Sequence, residues 1–120
     1  MGEYLILFKN AKNFMMNLNF EASLEEYQNI LNTVQNSTYV LKNIALCYMK
    51  LLKYNKACQY FKKARKINKG ELKFMSYYST CLWHLNDQKH LTELSEQFFK
   101  SHPHCAETWV IMGNAYSCAK

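Results

Sequence analysis

The 120-residue chain is 49% hydrophobic and 20% charged, with three Gly, one Pro and a formal charge of +6. That balance belongs to an ordinary globular or repeat protein and argues against disorder. The first residues give only a short apolar run behind Glu3, too short for a secretory signal or a spanning helix of about 20 residues, so an intracellular protein without membrane contact is expected. Five cysteines, odd in number and without Cys-x-x-Cys, read as buried free thiols in a reducing compartment.

Apolar periodicity predicts seven helices, at about residues 4–17, 20–33, 38–51, 54–68, 71–84, 88–101 and 106–119. Punctuation agrees. Asn19, Asn55 and Asp87 are expected in tight turns, Gly70 follows a Lys-rich helix end, and Pro103 sits just past another. No Ser, Gly or Pro tract marks a linker, so one continuous domain over 1–120 is expected.

A 34-residue spacing organises these helices. Ala11, Ala45, Ser79 and Gly113 keep it, and so do Phe14, Tyr48, Leu82 and Tyr116. This is the period of the tetratricopeptide repeat, where a small residue at position 8 lets two helices approach and an aromatic at position 11 fills the gap. Leu7, Leu41, Met75 and Trp109 hold position 4, and Asn10, Ile44, Tyr78 and Met112 hold position 7. The fold class expected is therefore an all-α tetratricopeptide-repeat solenoid of antiparallel helix pairs. Its repeats cover 4–37, 38–71 and 72–105, with the first helix of a fourth at 106–120.

The second helices keep the phase less well. Ser23 and Ala57 are small at position 20, Tyr27 and Phe61 are aromatic at position 24, but the third repeat has Leu91, Ser95 and Phe98 at positions 20, 24 and 27. Its second helix is expected to be shifted or tilted. Without a following helix, Trp109, Met112, Gly113 and Tyr116 are expected to leave an apolar patch that invites self-association or a partner.

In this repeat the first helices line a concave groove through positions 2, 5, 6, 9, 12 and 13. Those positions bring Lys42 and Asn43, then Lys73, Tyr77, Thr80, Trp83 and His84, then Asn114. Amides suit a peptide backbone, aromatics seat apolar side chains and Lys meets a carboxylate, so an extended peptide, in particular an anionic C-terminal tail, is the ligand this mixture fits. The carboxylate clamp of chaperone-binding repeats uses Lys, Asn, Asn, Lys and Arg. The corresponding residues here are Phe8, Lys12, Asn43, Lys73 and Tyr77, a match at two of five, which disfavours a co-chaperone.

The segment Tyr78-Ser79-Thr80-Cys81-Leu82-Trp83-His84-Leu85 is more specific than the repeat requires, and Glu107, Trp109, Gly113, Asn114 and Ser117 follow at a fixed distance. Both resemble the third subunit of the anaphase-promoting complex, the cell division cycle protein 27 family, at the start of its C-terminal repeat array. The eighth subunit is similar in layout but lacks the Trp-His pair. What the resemblance implies is a non-catalytic scaffold of a nuclear and cytoplasmic ubiquitin ligase acting in mitosis and cell division. The implied partners are the other subunits and the activators and small processivity subunit whose Ile-Arg tails enter the groove, with Asn114 holding peptide backbone and Thr80, Tyr77, Trp83 and His84 beside it. A generic repeat adaptor or co-chaperone is the alternative.

Other chemistries fare worse. Lys62, Lys63, Arg65, Lys66 and Lys69 cluster on one helix, but without interleaved aromatics they read as a solvated face, not a nucleic-acid site. His102, His104 and Cys105, with Cys81 or His84, match no common zinc spacing. No nucleophile motif or glycine-rich phosphate loop occurs, so neither an enzyme nor a cofactor is expected.

Overall fold

A computed structural model describes residues 2–34, 36–69 and 71–119, with side chains from Ile6 onward. The role expected for Gly70 lies outside the described residues. Seven helices follow one another: α1 (Gly2–Met16), α2 (Phe20–Thr33), α3 (Thr38–Lys50), α4 (Tyr54–Ile67), α5 (Lys73–His84), α6 (Gln88–Ser101) and α7 (Ala106–Ala119). No strand occurs among the described residues. The chain divides into two compact units, Met1–Lys69 and Gly70–Lys120.

In the first unit α1 packs on α2, α2 on α3 and α3 on α4. The small residues do what their size allows. Ala11, Ala45 and Ala57 are fully buried, and the buried Ser23 hydroxyl donates to the Ala11 carbonyl at 2.8 Å, so position 20 of one helix touches position 8 of the other. Tyr27, Ile30, Val40, Ile44 and Phe61 fill the remaining core. Burial raises the Tyr27 phenol well above its ordinary range, and the neighbouring Tyr39 pushes the same way. Burial also raises the Cys47 thiol, against a smaller opposing hydrogen bond from Ser23, and its Sγ lies 3.5 Å from Met15 Sδ.

The turn inside each repeat is a left-handed helix end. Leu18, Leu52 and Asn86, each 34 residues apart, have φ of 61°, 63° and 59°. The next amide closes back on the helix in each case: Asn19 N to Phe14 O at 2.7 Å, Lys53 N to Tyr48 O at 2.8 Å, and Asp87 N to Leu82 O at 2.9 Å. This is the Schellman arrangement, with two otherwise orphaned carbonyls satisfied. The same next residue then begins the second helix. Asn19 accepts from Ala22 N, and Asp87 accepts from His90 N while its carboxylate also reaches His90 Nδ1 at 2.8 Å. Asn55, expected in a turn, lies instead within α4. The residue at the cap is Lys53, whose side chain makes no capping bond, because Lys has no acceptor to offer.

The second unit is built differently. α5 lies chiefly against α7 and meets α6 over far less of its length than α3 meets α4, while α6 packs mainly on α7. The buried face of α6 is Leu91, Leu94 and Phe98, with Ser95 half-buried, whereas α4 buries Ala57, Cys58, Phe61 and Ala64. The side chain that replaces the position-24 aromatic is thus Leu94, one residue earlier, and the bulk of Leu91 and Phe98 occupies space that small residues leave to the partner helix. On α7, Thr108 and Ile111 are buried, while Trp109 and Tyr116 are 57% and 68% exposed. A Cβ built on Gly113 meets nothing within 4 Å.

The cysteines are all thiols. Cys47, Cys58 and Cys81 are buried, but Cys105 and Cys118 are only half-buried, so the expectation of uniformly buried thiols fails for these two. Cys105 immediately precedes α7 and Cys118 lies in its last turn.

Candidate peptide-binding site

The residues expected to bind are divided between the two units. Lys42 and Asn43 lie on α3 in the first. Lys42 is buried, with 6% of its surface exposed, which departs from the open groove position expected for it. Asn43 is half-buried and donates its Nδ2 to the Tyr39 carbonyl of its own helix at 2.8 Å. That bond leaves its Oδ1 as the more available end.

The other six residues belong to the second unit. On α5, Lys73, Tyr77, Thr80 and His84 follow the spacing i, i+4, i+7 and i+11, which sets them in one stripe, with Trp83 beside His84. Lys73, Tyr77, Trp83 and His84 are exposed and Thr80 is half-buried. α7 supplies Asn114 against the middle of this stripe. Its Nδ2 donates to Ser79 Oγ at 2.9 Å and to Thr80 Oγ1 at 3.3 Å.

The orientation of that amide follows from proton counting. Ser79 donates its only hydroxyl hydrogen to the Ser76 carbonyl at 2.6 Å, and Thr80 donates its own to the same carbonyl at 3.1 Å. Toward Asn114 both hydroxyls have only lone pairs left, so the amino end of the amide must face them. Oδ1 is turned away. What Asn114 offers a ligand is therefore an acceptor, suited to a backbone N–H.

One turn further along, Trp83 Nε1 donates to Ser117 Oγ at 3.2 Å. The indole spends its only donor internally and presents ring surface, 41% exposed, with the His84 ring edge-on at a centroid distance of 4.9 Å. Cys118 Sγ lies 3.5 Å from Asn86 Oδ1 at the end of the same helix pair. Tyr77, 38% exposed, leans on Phe74 with ring centroids 6.3 Å apart. The arrangement combines one fixed acceptor, two aromatic surfaces and a terminal cation at Lys73. It can hold an extended chain by backbone pairing and apolar contact.

Ser76, Ser79 and Ser117 fix Asn114 and Trp83, a role that the sequence reading did not give them. The available signal was the Ser76, Ser79, Thr80 spacing of i, i+3 and i+4 on a helix, where short hydroxyl side chains bond back to a carbonyl. Elsewhere His102 bonds Ser101 Oγ at 2.8 Å and packs on Phe98. No group of three His, Cys, Asp or Glu among the described residues is placed to hold a metal. No helix among them is long and apolar enough to cross a membrane.

Comparison with known proteins places this geometry. Residues 38–71 match the tetratricopeptide repeat family. The chain is 29% identical over 115 residues to anaphase-promoting complex subunit 3 of Schizosaccharomyces pombe, covering 96% of this chain and 17% of that protein. It is 33% identical over 82 residues to the human cell division cycle protein 27 homolog, covering 68% of this chain and 10% of that protein. The chain thus spans between a tenth and a fifth of the length of these curated relatives.

Solved structures are similar in fold. The first repeat domain of Spaghetti (RPAP3), bound to an HSP90 peptide, superposes with a TM-score of 0.84 at 15% identity, covering 98% of this chain and 94% of that one. The second repeat domain of human RPAP3, in complex with an HSP70 peptide, gives 0.80 at 16% identity, covering 95% and 92%. At such identities the likeness concerns the fold alone, an all-α tetratricopeptide-repeat solenoid of helix pairs. The chain has the tetratricopeptide-repeat fold, matches that repeat over residues 38–71, and resembles the third subunit of the anaphase-promoting complex, the cell division cycle protein 27 family.

Proposed function

We propose that this chain is a non-catalytic scaffold segment of the anaphase-promoting complex ubiquitin ligase and binds the C-terminal tails of partner proteins. The observation that carries the reading is the pair of bonds from α7 to α5, Asn114 to Thr80 and Trp83 to Ser117. Both join residues of the two sequence segments that carry the resemblance, and together they hold an amide acceptor and an aromatic face in fixed positions. Preorganised contacts of this kind raise affinity by reducing what must be ordered on binding. The partners proposed are the other subunits of the complex and activators ending in Ile-Arg, in the nucleus and cytoplasm. The exposed Trp109 and Tyr116 on α7 offer a further surface for a neighbouring subunit or a second copy.

The test has two parts. Affinity purification of the tagged chain from its own cells, with mass spectrometry, is expected to recover cullin-like and RING subunits with activators; recovery of chaperones alone leaves a generic repeat adaptor. Asn114→Ala and Trp83→Ala are each expected to weaken binding of an Ile-Arg-terminated peptide by about 2 kcal/mol, the usual cost of truncating a central contact. Unchanged affinity in both variants would sink the tail-binding assignment.

A further inference from the structure

The charge of this chain is unevenly placed. Residues 1–69 hold eleven Lys and Arg against four Asp and Glu, a net +7, whereas residues 70–120 hold four against five, a net −1. Within the first unit the imbalance is sharper still, because no Asp or Glu occurs between Glu26 and Glu71. A cleft of about 480 Å³ opens inside that acid-free stretch, lined by the end of α2, the start of α3 and the end of α4.

Its lining has three chemistries. Leu31, Leu41 and Ile67 are apolar, Asn32 and Asn36 supply amides, and Lys63 and Lys66 supply ammonium groups. Among the described residues neither lysine has a carboxylate partner. Lys63 is instead held with its Nζ 4.8 Å from the Tyr60 ring centroid. Ile67 is 49% exposed, a large aliphatic surface left open beside the two cations. The C-terminal ends of α2 and α4 turn partial negative charge toward this region. The two lysines in and near the last turn of α4 overcome it with full charges.

We propose that this cleft binds an acidic peptide segment of a protein partner, one that carries Leu or Ile next to Asp or Glu. Each part of the lining meets one part of such a ligand. Carboxylates pair with Lys63 and Lys66 in charge-assisted hydrogen bonds, the aliphatic side chain covers Leu31, Leu41 and Ile67, and the amides of Asn32 and Asn36 pair with peptide backbone. A nucleic acid fits less well: single strands bind through aromatic stacking platforms, and none of the lining residues is aromatic. A small inorganic anion has no use for the apolar floor. The cleft shares no residue with the α5 and α7 site and lies within one unit, so its success or failure is separate from tail binding.

The test uses the whole chain and fluorescein-labelled Asp-Glu-Leu-Asp-Glu-Ile-Asp-Glu, followed by fluorescence anisotropy at physiological salt. The double variant Lys63→Glu/Lys66→Glu is expected to lower affinity by about tenfold or more, since like charges then face each other across the site. Lys63→Gln/Lys66→Gln removes the charge without placing acid at a helix C-terminus, and covers the case where the first variant folds poorly by circular dichroism. Lys53→Glu/Lys56→Glu makes the same charge change at the other end of α4 and is expected to stay within about twofold of the parent, apart from the weak general field. A probe with Ser in place of Leu and Ile is expected to bind several-fold more weakly. The proposal is overturned by equal losses in the two Glu variants, by indifference to the aliphatic residues, or by an oligothymidylate that binds more tightly than the peptide and loses that binding in the Gln variant.

Discussion

The two units carry one repeat in two states of packing. In the first, small side chains at positions 8 and 20 bring helix pairs together, as the Ser23 hydroxyl on the Ala11 carbonyl shows. In the second, Leu91 stands at position 20, α5 and α6 meet over a short length, and α7 takes the place against α5. The period of the sequence nevertheless runs through both without a slip. What keeps it is the first helix of each repeat and the left-handed turn after it, at Leu18, Leu52 and Asn86. The second helices, by contrast, differ in what they bury: Ala57, Cys58, Phe61 and Ala64 on α4, but Leu91, Leu94 and Phe98 on α6.

Exchanging the residues at position 20 tests this contrast most strongly. Leu91→Ala removes a fully buried side chain from α6 and is expected to destabilise by about 2–5 kcal/mol, transfer loss and cavity together. The reverse exchange, Ala57→Leu, forces extra volume into a fully buried crossing and is expected to cost about 1–3 kcal/mol. Urea unfolding measures both. A neutral Ala57→Leu would show that the first unit has no tight crossing to protect, and the contrast would collapse.

Alkali is expected to act on the first unit. Tyr27 has its pKa raised by burial and by Tyr39. In the unfolded chain a phenol loses its proton near pH 10, whereas in the folded state it is kept, so above that pH the unfolded state binds fewer protons and stability falls as pH rises. Stability from this source is fully present below about pH 10. Thermal melts between pH 8 and 11 should show the decline, and Tyr27→Phe should flatten it. An equal slope in the variant would assign the effect to other groups.

Position by position, the sequence was readable where local rules decide. All seven helices fall within two residues of the positions that periodicity gave, and the caps at Asn19 and Asp87 follow from side chains that reach their own helix. Asn55, a residue type that favours turns, was expected in the turn but lies inside α4, because the closing bond from Lys53 N to Tyr48 O sets the helix start at Tyr54, where periodicity also put it. The site was legible in part. Repeat phase placed Tyr77, Thr80, Trp83 and Asn114 together, but the direction of the Asn114 amide depends on where two hydroxyl hydrogens go, and the burial of Lys42 depends on packing. Neither is written in a spacing.

Lys53 also supplies the next test. Placing Asp there gives α4 the acceptor that α2 and α6 already have, and the expected gain is about 1 kcal/mol, with an anion at the positive end of the helix adding to it. A thermal melt of Lys53→Asp measures it. A loss of stability would mean that the Lys53 side chain serves some other contact in the first unit.

The smallest effects belong to the turns themselves, and there the sign separates the two units. Leu52 holds a left-handed conformation that costs an ordinary side chain about 1–2 kcal/mol, and it is 71% exposed, so it recovers little by burial. Leu52→Gly relieves that strain but gives the unfolded chain more freedom, worth about 0.5–1 kcal/mol in the other direction. A net gain of about 0.5–1 kcal/mol is expected from the difference of the two. Asn86 starts from a lower strain, because its short polar side chain tolerates this region, and its Oδ1 accepts from Cys118. Asn86→Gly therefore loses the contact, keeps the entropy cost and gains little, so it is expected to be neutral or slightly destabilising. Equal shifts in the two midpoints of urea unfolding would show that side-chain type does not matter at these turns, and the backbone hydrogen bonds alone would then have to account for the period.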